Sequence, residues 1–190
     1  MKSLNSLLII ALVFSILLSS CNKEIVVIPN ITSDQTWTSN NDYAVNDDTI
    51  IDNGATLTIE PGTVIKSAAG KGLYVYNGTL IAEGTEEKPI VFTSSAKNPA
   101  KGAWVGLVFY EGTLNNTTLK YCEIEYAGGD QNYRAIHIYE SKIHVNYCSI
   151  VDNKYNGIYL WGTGANFMSF TNNEIDDIDG HAIVISAHVN

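Results

Sequence analysis

Three sets of side chains in this sequence have the types and the spacing to do chemistry. The first is acidic. Asp176, Asp177 and Asp179 fall in the run Asp-Asp-Ile-Asp-Gly-His at 176–181, and Asp152 and Glu125 precede them at near-repeat intervals. Carboxylates gathered on one corner supply hard oxygen ligands, and Asp152, Asp177 and Asp179 are the set that would hold Ca²⁺. Two of them could instead serve as acid and base in glycosidic bond cleavage. The spacing matches no calcium loop, and the same residue types are ordinary solvated turn formers. No catalytic residue is therefore assigned. The expected cofactor is none, with Ca²⁺ as the one ion this turn suits.

The second set is aromatic. Tyr76, Tyr110, Tyr139 and Trp161 each stand at the fifth position of a short recurring motif, and Tyr159 stands two residues before Trp161. Stacked at the strand spacing of about 4.8 Å, these residues form an outward stripe. Such a stripe offers a flat aromatic platform to sugar rings or to the apolar surface of a protein partner. Aromatic ladders also stabilise neighbouring strands with no ligand at all.

The third set is the cysteines. Met1-Lys2-Ser3, an apolar run from Leu7 to Leu18, and Ser19-Ser20-Cys21 form a secretory signal. The apolar run is too short to span a bilayer comfortably. Leu18-Ser19-Ser20-Cys21 resembles the lipobox of bacterial lipoproteins. That resemblance implies cleavage before Cys21, acylation of Cys21 by palmitate-type chains, and stable membrane anchoring through several chains on one residue. Cys122 and Cys148 fall one repeat apart. Their expected Cα separation of about 4.8 Å is compatible with a disulfide, but stacked side chains run parallel, which favours two buried free thiols.

Other chemistries find little support. Polysaccharide cleavage by elimination needs a base and positive charge, yet Arg134 is the only arginine, and Lys120, Lys142 and Lys154 are scattered. His137 is expected to face outward, while His144 and His188 stand alone and are assigned no role. No nucleophile elbow, phosphate loop or zinc spacing occurs. Twenty acidic against eleven basic residues give a net charge of −9. That field repels nucleic acid and other polyanions.

The elements that position these residues follow from the recurring motif. It occurs at 72–76, 106–110, 135–139, 157–161 and 182–186, at intervals of 34, 29, 22 and 25 residues. Repetition at this period marks a stacked architecture in which no unit buries its apolar face alone. Each copy is followed by two further runs rich in Val, Ile, Thr and Tyr, bounded by Gly, Asn, Asp or Pro. Three strands per repeat make one turn of a parallel β-solenoid, whose crossovers are right-handed. Ile90, Ile124, Ile150 and Ile175 are expected to form one interior ladder. Leu119, Val145 and Phe170 form a second, and Cys122, Cys148 and Asn173 share a corner.

The stretches Gly54-Ala55-Thr56-Leu57-Thr58-Ile59-Glu60-Pro61-Gly62-Thr63-Val64-Ile65, Gly78-Thr79-Leu80-Ile81-Ala82-Glu83-Gly84-Thr85 and Pro89-Ile90-Val91-Phe92-Thr93 resemble right-handed parallel β-helix proteins of the pectin-lyase-like superfamily. They are similar to lipid-anchored members of Bacteroidota type. The resemblance implies an all-β, single-stranded parallel β-helix of about five turns, and a ligand groove along the motif-bearing sheet. It is nearly silent on activity.

The expected organisation is a lipoprotein signal peptide at 1–20 and a lipidated cysteine with a short tether at 21–36. A first strand at Ile25–Ile28 is left open. A β-helix domain follows at 37–190, uncapped or truncated at its C-terminus. The expected function is that of an exported lipoprotein of the outer membrane, on either side of it. It would act as a binding or structural module contacting a glycan or protein. The alternative is a carbohydrate-active enzyme using the acidic turn.

Overall fold

The structure is a computed structural model that describes residues 23–129 and 134–186. Cys21 and the segment expected as a signal peptide lie outside the described residues. Every described strand runs parallel to its neighbours, and three sheets wind up the molecule. The first sheet holds the recurring motif, in strands Thr49–Ile51, Leu73–Val75, Leu107–Phe109, Ile136–Tyr139, Ile158–Trp161 and Ile183–Ser186. The second comprises Gln35–Trp37, Thr56–Ile59, Thr79–Glu83, Thr118–Lys120, Lys142–Asn146 and Asn166–Thr171. The third has seven strands: Glu24–Val27, Asn41–Val45, Val64–Ser67, Ile90–Ser94, Cys122–Glu125, Ser149–Val151 and Glu174–Asp176. The solenoid thus has about six turns rather than five. The extra turn comes from residues 24–51, which carry no copy of the aromatic motif. Within the segment expected as a tether, Glu24–Val27 pairs with Asn41–Val45, so coiling begins there.

Alternation within each strand sends every second side chain inward, and the register stacks these into columns. In the first sheet Ile51, Val75, Phe109, Ile138, Leu160 and Ile185 lie one above another. In the second, Trp37, Ile59, Ala82, Leu119, Val145 and Phe170 do the same, as expected for the last three. The third-sheet column differs in one place. Ile124, Ile150 and Ile175 stack together, but the residue below Ile124 is Phe92, while Ile90 lies beneath Cys122. The strands Ile90–Ser94 and Cys122–Glu125 start opposite each other, Ile90 on Cys122, so the inward residue facing Ile124 is the second inward residue of its strand, Phe92. At the base, Trp37 stacks on Tyr43 with centroids 4.7 Å apart.

The corners are held by asparagines. Asn153 is fully buried; its Oδ1 accepts from Ala127 N at 2.6 Å, and its Nδ2 donates to Ile124 O at 2.9 Å. Asn173 repeats the arrangement on Cys148 N and Val145 O. Each side chain therefore satisfies one donor and one acceptor of the coil beneath. Several corners also turn on residues with positive φ, such as Tyr121, Tyr147 and Asn172.

One insertion breaks the regular winding. Residues 95–106 leave the third sheet and climb the outside of the solenoid. Trp104 is buried there, and its Nε1 donates to Glu125 O at 2.7 Å. Gly128 and Gly129 make room for the crossing. A Cβ on Gly129 would lie 2.8 Å from the carbonyl oxygens of both Gly102 and Trp104, and Gly128 has φ +88°. At the other end the last coil is thinly covered. Ile185 is 71% exposed although it continues an interior column, and Phe167, Phe170 and Ile175 are only partly buried.

Two outcomes follow. Asn153→Ala strands two buried backbone groups and should cost about 2–4 kcal/mol in denaturant unfolding; Asn173→Ala, at a half-exposed corner, should cost less. Amide exchange should be faster in residues 166–186 than in 73–125. Equal protection in the two regions would contradict the exposure of the last coil.

Candidate functional site

Two outward columns run up the first sheet. One contains Ile50, Tyr74, Val108, His137, Tyr159 and Val184. The other is the aromatic stripe. Tyr76 and Tyr110 have centroids 4.4 Å apart and planes 10° apart. Tyr110 meets Tyr139 edge-on at 5.7 Å, and Tyr139 stacks on Trp161 at 4.5 Å and 15°. The structure thus brings all the expected stripe residues together and points them outward. It changes what they present. Tyr76 with Tyr110, and Tyr139 with Trp161, cover one another's facing sides, while the residue above Trp161 is Ser186 and not another ring. It is a packed ladder rather than the flat platform expected.

The lower part of the first column is covered too. The insertion lays Val105 against Tyr74 and Val108, all three buried, with Ile50 and Tyr110 packed alongside. Val108 points away from the core but lies under this lid. Among the described residues the insertion does not extend over the upper part. Arg134, His137, Tyr139, Tyr159 and Trp161 line a depression of about 290 Å³ there. His137 meets the Tyr159 ring edge-on at 5.3 Å. The Arg134 guanidinium lies 5.2 Å from the centroid of Tyr159 and 5.7 Å from that of Tyr155, within cation–π range. Burial pushes the His137 imidazole down to about 4, and the Arg134 charge adds to the shift. His137 is therefore neutral at pH 7, and Arg134 is the permanent charge in the depression. Neither Arg134 nor His137 was assigned a role from the sequence.

The acidic corner is also assembled, but around a lysine. Lys101, carried by the insertion, donates to Asp177 Oδ1 at 2.5 Å and to Asp179 Oδ1 at 3.0 Å. Asp152 shares a hydrogen bond with Asp177. Among the described residues no group of three or more His, Cys, Asp and Glu side chains is arranged to hold a metal ion. The Lys101 ammonium occupies the position a cation would take among these carboxylates. Cys122 and Cys148 are buried free thiols at stacked corners, and burial pushes the Cys122 thiol up.

The acidic corner has a titration signature. The hydrogen bond from Lys101 holds Asp177 below the usual carboxylate range, while the hydrogen bond with Asp177 pushes Asp152 above it. A lowered pKa in the folded state stabilises above the usual carboxylate range and is lost as pH falls through the folded value. Asp177 should thus titrate below Asp152 when the carboxyl carbons are followed by NMR. Lys101→Met should raise Asp177; an unchanged Asp177 titration would show that the ion pair does not form.

Residues 29–116 match the family model described as a pectate-lyase like beta helix domain. No curated protein and no solved structure matches the chain. The matched residues end before Arg134, His137, Tyr139, Tyr159 and Trp161, so the family model does not speak to the depression. The coils continue past the matched residues in the same three-sheet register, and the chain is a parallel β-helix repeat protein.

Proposed function

We propose that this chain is an exported, lipid-anchored β-helix module that binds a glycan at the upper first-sheet depression. The observation that carries this reading is the composition of that depression. Three aromatic side chains, a neutral imidazole and one guanidinium converge on about 290 Å³. Aromatic groups pack against the C–H faces of sugars, and a few fixed donors set orientation. A match to a pectate-lyase like domain fits a carbohydrate-related role. A single arginine on a chain of net charge −9 suits a neutral or sparsely charged glycan better than a polyanion. The lipobox-like sequence supports anchoring through Cys21 to the bacterial outer membrane, where the module would hold glycan near the cell.

The enzymatic alternative has less support. Glycosidic cleavage requires two carboxylates about 5–10 Å apart across a groove, one free to act as acid. Asp177 and Asp179 instead neutralise Lys101, and Asp152 is bonded to Asp177.

The tryptophans give a direct assay. Trp37 and Trp104 are buried, and Trp161 is half-exposed. Acrylamide should quench mainly Trp161, and a glycan selected on an array should protect it. Trp161→Ala should weaken binding roughly tenfold, as expected for about 1.5 kcal/mol from one stacked ring. Tyr159→Ala combined with Trp161→Ala should abolish binding and leave the circular dichroism of the fold unchanged. A glycan that binds Trp161→Ala as tightly as the parent would overturn the assignment.

A further inference from the structure

A second depression, of about 560 Å³, lies on the second sheet. Its floor is two outward columns in register. One runs through Thr118, His144 and Ser169, the other through Lys120, Asn146 and Thr171. The last strand reaches this register only through a bulge. Ile143 pairs with Phe167, but His144 pairs with Ser169, so Met168 is an extra residue and stands 47% exposed. Without the bulge Met168 would lie opposite His144. Bulges re-aim side chains in this way and are frequent beside active sites.

The bulge builds a directed hydrogen-bond chain. Thr171 Oγ1 donates to Asn146 Oδ1 at 2.8 Å, which fixes the orientation of the amide. Asn146 Nδ2 then donates to Ser169 Oγ at 2.8 Å. Ser169 Oγ lies 2.9 Å from His144 Nδ1. With His144 as the Nε2–H tautomer, Nδ1 accepts the Ser169 proton, and the Asn146 amide that donates to Ser169 Oγ polarises the O–H bond. A hydroxyl and an imidazole within hydrogen-bond reach are the core of an activated nucleophile.

We propose that Ser169 is a nucleophile and His144 its general base, acting on carboxylic esters. Ser169 Oγ adds to the ester carbonyl carbon as its proton passes to His144 Nδ1. The bond to the alcohol oxygen breaks, and that oxygen takes the proton back from His144. Water then gives a proton to His144 and its oxygen to the acyl carbon, and the Ser169 hydroxyl is restored as the acid leaves. Ester and water become acid and alcohol, with no change in oxidation state. Lys120, one coil below in register with Asn146, lines the same depression and is the cationic side chain there that a developing oxyanion would draw on. The depression is open and lined by polar side chains including Glu83, Asn116 and Thr118. That lining suits a short acyl group on a polyhydroxylated alcohol and offers no tunnel for a long acyl chain. The proposal concerns a different sheet from the glycan depression and stands or falls apart from it.

The test uses the full chain, a fluorophosphonate probe and 4-nitrophenyl acetate. Peptide mapping should place the probe on Ser169. Ser169→Ala should lose both labelling and ester hydrolysis. His144→Gln should slow both by roughly 100-fold, the usual contribution of a general base. Both side chains face outward and are half-exposed, so the core is untouched. Labelling elsewhere on the wild-type chain, hydrolysis no faster than that of Ser169→Ala, or an undiminished rate in His144→Gln would each overturn the proposal. The mapping is done on wild type and decides the matter even if a variant fails to fold.

Discussion

The whole molecule depends on parallel, in-register stacking at the strand spacing. Each backbone group must find its partner one coil away, and each side chain must tolerate its counterpart about 4.8 Å above or below. Inside, that constraint selects columns such as Ile51 to Ile185, in which like packs on like. At the corners it leaves amide and carbonyl groups without a ladder. Asn153 and Asn173 fill that need with one donor and one acceptor each. The apolar columns supply burial, and the corner asparagines keep the backbone satisfied while the chain changes direction.

Outside, the same stacking makes surfaces out of columns. A residue type that recurs once per coil becomes a stripe, and a change of type along the stripe becomes a boundary. On the first sheet the covered part, with Tyr74, Val105 and Val108, gives way to the open part with His137 and Tyr159. The boundary is set by the insertion, which on this sheet packs against the lower coils through Val105. Arg134 reaches the depression because it directly precedes a first-sheet strand, and its guanidinium extends over the rings of Tyr155 and Tyr159.

Much of this architecture is legible in the sequence because local pattern and global fold agree. Alternation identifies the strands, and the motif spacing gives their order. The column of Leu119, Val145 and Phe170 can be read directly. The first coil is less visible, since Glu24–Val27 and Gln35–Trp37 carry no motif and surround Pro29 and several turn formers. Ile90 is misplaced by two residues because Ile90 and Phe92 are both apolar and both face inward, so alternation alone does not say which of them lies beneath Ile124. The role of Lys101 is illegible for a different reason: its carboxylate partners lie 76 and 78 residues away. His144 and Ser169 directly precede Val145 and Phe170, so their adjacency follows from that column, but the hydrogen bonds that join them through Asn146 and Thr171 are matters of rotamer that alternation leaves open. Stacking faces in the aromatic stripe are likewise a matter of ring rotation, which spacing alone leaves undetermined.

The insertion has a mechanical consequence. In a simple solenoid each coil touches only its neighbours, so unwinding can proceed from an end one layer at a time. Here Trp104 is pinned to the coil above its own strand, and Lys101 reaches the corner three coils above it. The segment works as a stave nailed across several hoops of a barrel. Tension applied at the last hoop would be shared with hoops well below it, and fraying at the rim would meet resistance that nearest-neighbour contacts alone do not supply.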